Sequence, residues 1–464
     1  VKPLRAIAAA AGLAAAVACG RDPDLAAGNL PAVGRGPATA TLLQVPRDGG
    51  IARLYRVPSL ESSSWKVQDK LPPLERLIGS DPDQGVVYFL DRKHNVVGID
   101  LETHRVRTYT EQVRNAVVGP DGSLFTIDTG QVVTQLVRRT PVRFRSKLQG
   151  TAQELSATMS GSLLARIGGK QPALEVLGPD QAPTTTPIEA GEMSESFWGD
   201  LVAVAGDGGV TVYQIQGKEK PRTLDVDGAK AAMFSPSGHR LYVVRETGAL
   251  VIFDRYSWDK LEEVDLPGPA VGLRGDLYGQ WVLIRPALGD SAWVFDVGRG
   301  RLAGTAPAHW EGSLPQVVSP NALLTRRGDS LVAIDLGAKD FPRRGAVDGA
   351  EQDLFIPLAW HPEQDEPVPA ESDSAALAAA ADSARGGATV YLQVSSSQNP
   401  AWADELSQRL RAAGLPASVL RPKRSDEPHR VVVGPYPTRE QAEEAGRKLG
   451  MPSFVVTTQD QPAP

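Results

Sequence analysis

The chain has 464 residues, 41% hydrophobic and 22% charged, with 46 Gly and 37 Pro. That length exceeds one ordinary compact domain and implies two or three domains or a repeat array, with many turns. A net charge of -6 excludes a whole-protein electrostatic footprint for nucleic acid, and the single cysteine excludes a disulfide framework or a thiolate metal cluster.

Lys2 and Arg5 precede Ala6 to Val17, an uncharged Ala-rich run too short to span a bilayer as a helix. The run closes on Ala16-Val17-Ala18-Cys19, placing the only Cys directly after small residues. Residues 1–19 resemble a bacterial lipoprotein signal peptide, with Ala16 where a larger aliphatic residue is usual. The resemblance implies that Cys19 is lipidated and holds the protein to a membrane. Gly20 in place of Asp implies the outer membrane, with the protein facing the periplasm. A plain secretory signal or a frayed helix are the alternatives. Residues 20–40, rich in Gly, Pro, Ala and Asp, read as a flexible tether.

From residue 41 to 361 short β-patterned runs alternate with Gly, Pro, Asp and Asn. The clearest block runs Ala232 to Gly238, His239 to Val244, Ala249 to Asp254 and Leu261 to Val264, four strands with a Pro-Ser-Gly turn after the first. Positions equivalent to Phe234 are Ile78, Val118, Ala157, Trp198, Leu273, Val318 and Trp360, spaced 36 to 45 residues apart. That is the period of four-stranded propeller blades, which cannot bury their faces singly and therefore imply a closed ring. Leu354 to Pro362 resembles only the first strand of a blade, and the patterns at Thr41, Ile51 and Trp65 resemble the other three. A blade shared between the two ends brings the expected number to eight. Seven is the alternative, because residues 151–187 repeat least clearly, and an irregular β-sandwich is the competing fold. The repeat resembles the WD40-like and quinoprotein-like propeller superfamilies without selecting one.

Chemistry-bearing motifs are sparse. The six His residues show no metal-ligand spacing, and each reads as a surface or turn residue. Asp81-Pro-Asp83-Gln-Gly85 hints at a calcium loop but has Arg92 where the closing acid belongs. Gly206-Asp-Gly-Gly209 reads as a turn, and Gly289-Asp-Ser291 lacks the glycine after a serine nucleophile. The expectation is no enzyme, no catalytic residue, no metal and no cofactor, with the ring as a protein-interaction platform.

Residues 362–387, rich in Glu, Asp, Pro, Ser and Ala, read as a linker, with a short Ala-rich helix possible from Ser374 to Ala384. Residues 388–458 follow the order βαββαβ, and residues 459–464 form a tail. The strands are Thr389 to Ser395, Ala417 to Leu420, Arg430 to Val433 and Ser453 to Val456. Asn399-Pro400 opens a helix that carries Trp402, Leu406, Leu410 and Ala413 on one face, and Thr438-Arg-Glu-Gln441 is a capping box for the second. Both helices must cover one sheet face, leaving the other open to solvent. Alternation puts Val390, Leu392, Val394, Val431 and Val433 inward, and Tyr391, Gln393, Ser395, Arg430 and Val432 outward.

Tyr391-Leu-Gln-Val-Ser-Ser396, Leu410-Arg-Ala-Ala-Gly-Leu415, Arg430-Val-Val-Val-Gly-Pro-Tyr436 and Thr438-Arg-Glu-Gln-Ala442 resemble the SPOR domain, the sporulation-related repeat that binds peptidoglycan. The resemblance implies that Gln393, Ser396 and Arg430 contact glycan. Pro428 stands where an aromatic is frequent, so stacking is expected to be lost or to shift to Tyr391. The same topology serves RNA recognition, but the third strand lacks the aromatics that stack bases.

The expected fold is thus a multidomain chain, an all-β propeller followed by a small α+β βαββαβ domain. The expected protein is a non-enzymatic envelope lipoprotein that binds peptidoglycan glycan strands, by resemblance those stripped of stem peptides at septa. Its propeller would hold an unidentified protein partner, in division or envelope maintenance. A wall-anchored scaffold for outer-membrane protein assembly and a propeller enzyme acting on wall material are the alternatives.

Overall fold

The computed structural model describes residues 40–358 and 389–458, less short internal stretches. Cys19, the tether up to residue 39, the linker, Asn399-Pro400 and the tail lie outside the described residues, as do Trp198, Trp360, Trp402, Leu406 and Ala413.

Strands β1 (Thr41–Val45) to β32 (Leu354–Leu358) form eight four-stranded antiparallel sheets. Seven are consecutive meanders over residues 74–110, 113–147, 152–187, 193–224, 229–265, 270–307 and 316–348. The remaining sheet has the order β3 (Glu61–Lys66), β2 (Arg53–Arg56), β1, β32, so it draws on both ends of the array. Pairing of Thr41 with Leu358 and Val45 with Leu354 fixes its register and leaves neither terminus of the repeat with an open inner edge.

The second strand of each sheet explains the ring. Both faces of a sheet meet neighbours, so these strands are continuous apolar runs instead of half-polar ones, as in the wholly buried Val86–Asp91 and the near-wholly buried Leu201–Gly206. Adjacent residues point to opposite neighbours. Tyr88 packs toward Leu124 and Phe89 toward Leu54; Tyr242 packs toward Val282 and Leu241 toward Val212. The pairs Phe125 with Leu163, Leu164 with Val202, Leu283 with Leu323 and Leu324 with Leu42 complete the cycle back to the split sheet. Sheets packed cyclically in this way form a β-propeller. Phe89, Phe125 and Phe295 have no exposure, and truncating such a ring to Ala costs about 3–5 kcal/mol. Outermost strands reach solvent and carry charge, as in Lys260-Leu-Glu-Glu-Val-Asp265.

Short polar side chains close the turns between first and second strands. Thr158 Oγ1 accepts from Ser162 N at 3.1 Å, Ser196 Oγ from Leu201 N at 3.1 Å, Ser235 Oγ from Arg240 N at 3.1 Å and Asp276 Oδ1 from Trp281 N at 2.9 Å.

The ninth sheet has the order β34 (Ala417–Leu420), β35 (His429–Tyr436), β33 (Thr389–Ser397), β36 (Phe454–Thr458). Helical residues Ala403, Leu410 and Ala442 pack with Leu392, Val394, Val431 and Val433 to make its core. The first helix ends where Leu415 N donates to Leu410 O at 3.0 Å across Gly414, whose φ of 83° a side chain would resist. Gln441 N donates to Thr438 Oγ1 at 3.2 Å, capping the second.

Candidate functional site

The helix-free face of the C-terminal sheet is built by pairing across β33 and β35. Gln393 pairs with Val432, which pairs with Ser418 of β34, so these three share a face opposite the core. Arg430 pairs with Leu420 on one side and Ser396 on the other.

A bulge decides the second of those pairs. Between Gln393 and Ser395 the register shifts, so that Ser395 pairs with Val431 and Ser396 with Arg430. Simple alternation gives Ser395 the face of Gln393. The extra residue, Val394, shifts the register and brings Ser396 opposite Arg430. The side chain of Ser396 lies outside the described residues. A second shift sits at Gly434, where a β-carbon would meet Tyr436 at 3.0 Å and Tyr391 at 3.2 Å. Tyr391 is half-buried there, and burial pushes the Tyr436 phenol up to about 12.

Arg430 is exposed, but Gln393 is not. The expectation that Gln393 and Val432 face solvent is corrected: their exposures are 2% and 0%. They do point away from the helices, yet the Gln393 amide meets the ring of His239 on the propeller. Sequence alternation reports a side chain's face and says nothing about what another domain lays over it.

His239 sits in the turn between β20 (Ala229–Phe234) and β21 (Arg240–Arg245). A turn residue was expected, and its 5% exposure is the departure. Ser235 Oγ accepts from His239 N at 3.1 Å, fixing the turn. Arg255 then braces it: its Nη1 donates to Gly238 O at 3.1 Å, its guanidinium lies 5.2 Å from the Tyr256 ring centre, and it pairs with Asp200 of the preceding sheet. The Tyr256 and His239 rings stand 6.3 Å apart. The neighbouring turn also approaches the C-terminal domain, where a β-carbon on Gly279 would lie 3.8 Å from Ser453 O. A cavity of about 1340 Å³ adjoins this contact, lined by Arg240, Trp281, Arg299 and Phe341 of the propeller and by Leu392 and Val455.

Of the remaining sequence motifs, Gly206 pairs with Gly209 at a hairpin end. Asp81 is 2% exposed, while residues 82–84 lie outside the described residues. Beside Gly289-Asp-Ser291, His309 Nδ1 lies 3.2 Å from Asp290 Oδ1, a partnership across 19 residues that spacing alone did not suggest. Both side chains are exposed, and Ser291 engages through its carbonyl, which accepts from Trp310 Nε1 at 2.9 Å.

Comparison with solved structures gives distant likenesses. AztD from Citrobacter koseri in its apo form is 13% identical with a TM-score of 0.47, covering 69% of this chain and 98% of that one. The dihydro-heme d1 dehydrogenase NirN is 17% identical with a TM-score of 0.48, covering 69% and 77%. A eukaryotic initiation factor is 12% identical with a TM-score of 0.46, covering 70% and 86%. No curated protein sequence matches the chain. The family model of the SPOR domain matches residues 386–457, which span the ninth sheet and its helices. A SPOR domain implies peptidoglycan binding, and this chain carries a β-propeller followed by a SPOR domain.

Proposed function

We propose that the protein is a non-catalytic lipoprotein of the bacterial envelope that ties its propeller to the cell wall. The SPOR match at residues 386–457 carries this reading, supported by an exposed Arg430 in register with Ser396 beyond the bulge. Arg430, Ser396, Gln393 and Tyr391 hydrogen-bond and stack with glycan strands, favouring strands stripped of stem peptides. The work is recognition of sugar hydroxyl and acetamido groups, and it needs no metal or cofactor. Lipidated Cys19 anchors the other end in the outer membrane, with the protein facing the periplasm. The propeller offers a platform for a protein partner, in division or envelope maintenance.

Co-sedimentation of the full chain with purified sacculi, before and after an amidase removes the stem peptides, tests the ligand. Binding that rises after amidase is the expected result, and no binding to either preparation refutes the reading. A fluorescent fusion concentrated at septa supports the division role, and uniform peripheral signal removes it.

A further inference from the structure

At Gln393 the helix-free face of the SPOR sheet meets the propeller. Gln393 and Val432, neighbours on that face, are buried, while Arg430 at its end is exposed. Covering Gln393 is the turn of His239, and the turn of Gly279 lies against Ser453. We propose that these two propeller turns are a docking surface for the chain's own SPOR sheet, and that docking competes with glycan. This inference rests on the glycan reading above.

Three observations carry it. The occupant is present, since the Gln393 amide and the His239 ring meet directly across 154 residues of chain. The surface is built rigidly: Ser235, Arg255, Tyr256 and Asp200 hold the His239 turn through hydrogen bonds, an ion pair and ring contacts. Competition follows from geometry, because a sugar cannot reach Gln393 while a propeller turn lies on it. In the docked form the exposed Arg430 end is available, which suits a first weak encounter. Full engagement of the face requires the sheet to leave the turns. Apparent affinity is then the intrinsic affinity reduced by the undocked fraction. A partner on the propeller that displaced the sheet would thereby switch on wall binding.

The test uses the full chain and changes only the propeller. His239→Glu places a carboxylate under the sheet, and Tyr256→Ala, a milder change, removes the ring beside His239. Thermal unfolding of each variant checks that the propeller still folds. Binding to amidase-treated glycan strands and hydrogen exchange at residues 235–240 and 276–281 are the readouts. Both variants should bind more tightly, by about tenfold if nine-tenths of wild-type chains are docked. Both should exchange faster at the two turns without ligand, and glycan should speed that exchange in wild type. Equal binding by wild type and both folded variants overturns the cover and leaves the glycan reading standing. Glycan binding to wild type with unchanged exchange at the turns overturns it likewise. Binding by none of the three overturns the glycan reading and the competition with it.

Discussion

Gln44 Nε2 donates a 2.6 Å hydrogen bond to Asp353 Oδ2, joining residues 309 apart at the sheet that unites the two ends of the propeller. Both are buried, Tyr55 donates its hydroxyl proton to Gln44 Oε1 at 2.7 Å, and Arg326 Nη2 donates to Asp353 O at 2.6 Å. The bond locks the first strand to the turn that leads into the last.

Replacing Gln44 by Leu removes a donor from Asp353 and the acceptor of Tyr55. A loss of about 1–3 kcal/mol is expected, read as a lower urea midpoint. Deleting residues 352–358 should do more, because it strips β32 from β1 and exposes an inner sheet edge to aggregation. A truncated chain that unfolds as cooperatively as the intact one would argue against closure through this sheet.

Arg430→Ala should weaken binding to stripped glycan by about tenfold to a hundredfold, the range for losing a charged hydrogen bond. The melting temperature should not move, because Arg430 is exposed and outside the core. Val431→Asp is the opposite case, since Val431 has no exposure and sits among Leu392, Leu410 and Ala442. A carboxylate there should unfold the SPOR domain and abolish binding with it. Unaltered sacculus binding by Arg430→Ala would remove that residue from the site.

Cys19→Ser should abolish labelling by radioactive fatty acid and move the protein from the membrane fraction to the soluble envelope fraction. Membrane association that survives in an unlabelled variant would mean another mode of attachment.

Alkaline stability provides a separate test. Burial pushes the Tyr242 and Tyr436 phenols up to about 12, from 10.0 in the free side chain. The folded state therefore keeps protons that the unfolded chain releases. The associated stability is complete below pH 10 and lost as pH climbs from 10 toward about 12. Urea midpoints measured across that window should fall, with Tyr436→Phe flattening the fall for the SPOR domain. A midpoint independent of pH across the window would contradict the burial of both phenols.

The period of about forty residues, the four-strand order within each repeat and the split last sheet are all visible in the amino-acid sequence. They are local: turn residues such as Ser235 and Asp276 close their hairpins within five residues, and apolar runs such as Val86–Asp91 mark strands buried on both sides. The SPOR motifs are legible for the same reason, since Val390, Leu392 and Val394 alternate within one strand and Thr438 caps its own helix. Tertiary structure alone decided three things. It chose which neighbour each face of a second strand meets, as with Tyr88 and Phe89, because side-chain period fixes direction and not partner. It put Ser396 in register with Arg430 through a bulge at Val394, which alternation cannot foresee because the extra residue exists only relative to the paired strand. And it laid the His239 turn over Gln393, a contact between residues whose sequence neighbourhoods carry no sign of each other. Strand and turn chemistry is written within a few residues of itself, whereas exposure of a binding face depends on every surface the rest of the chain can bring to it.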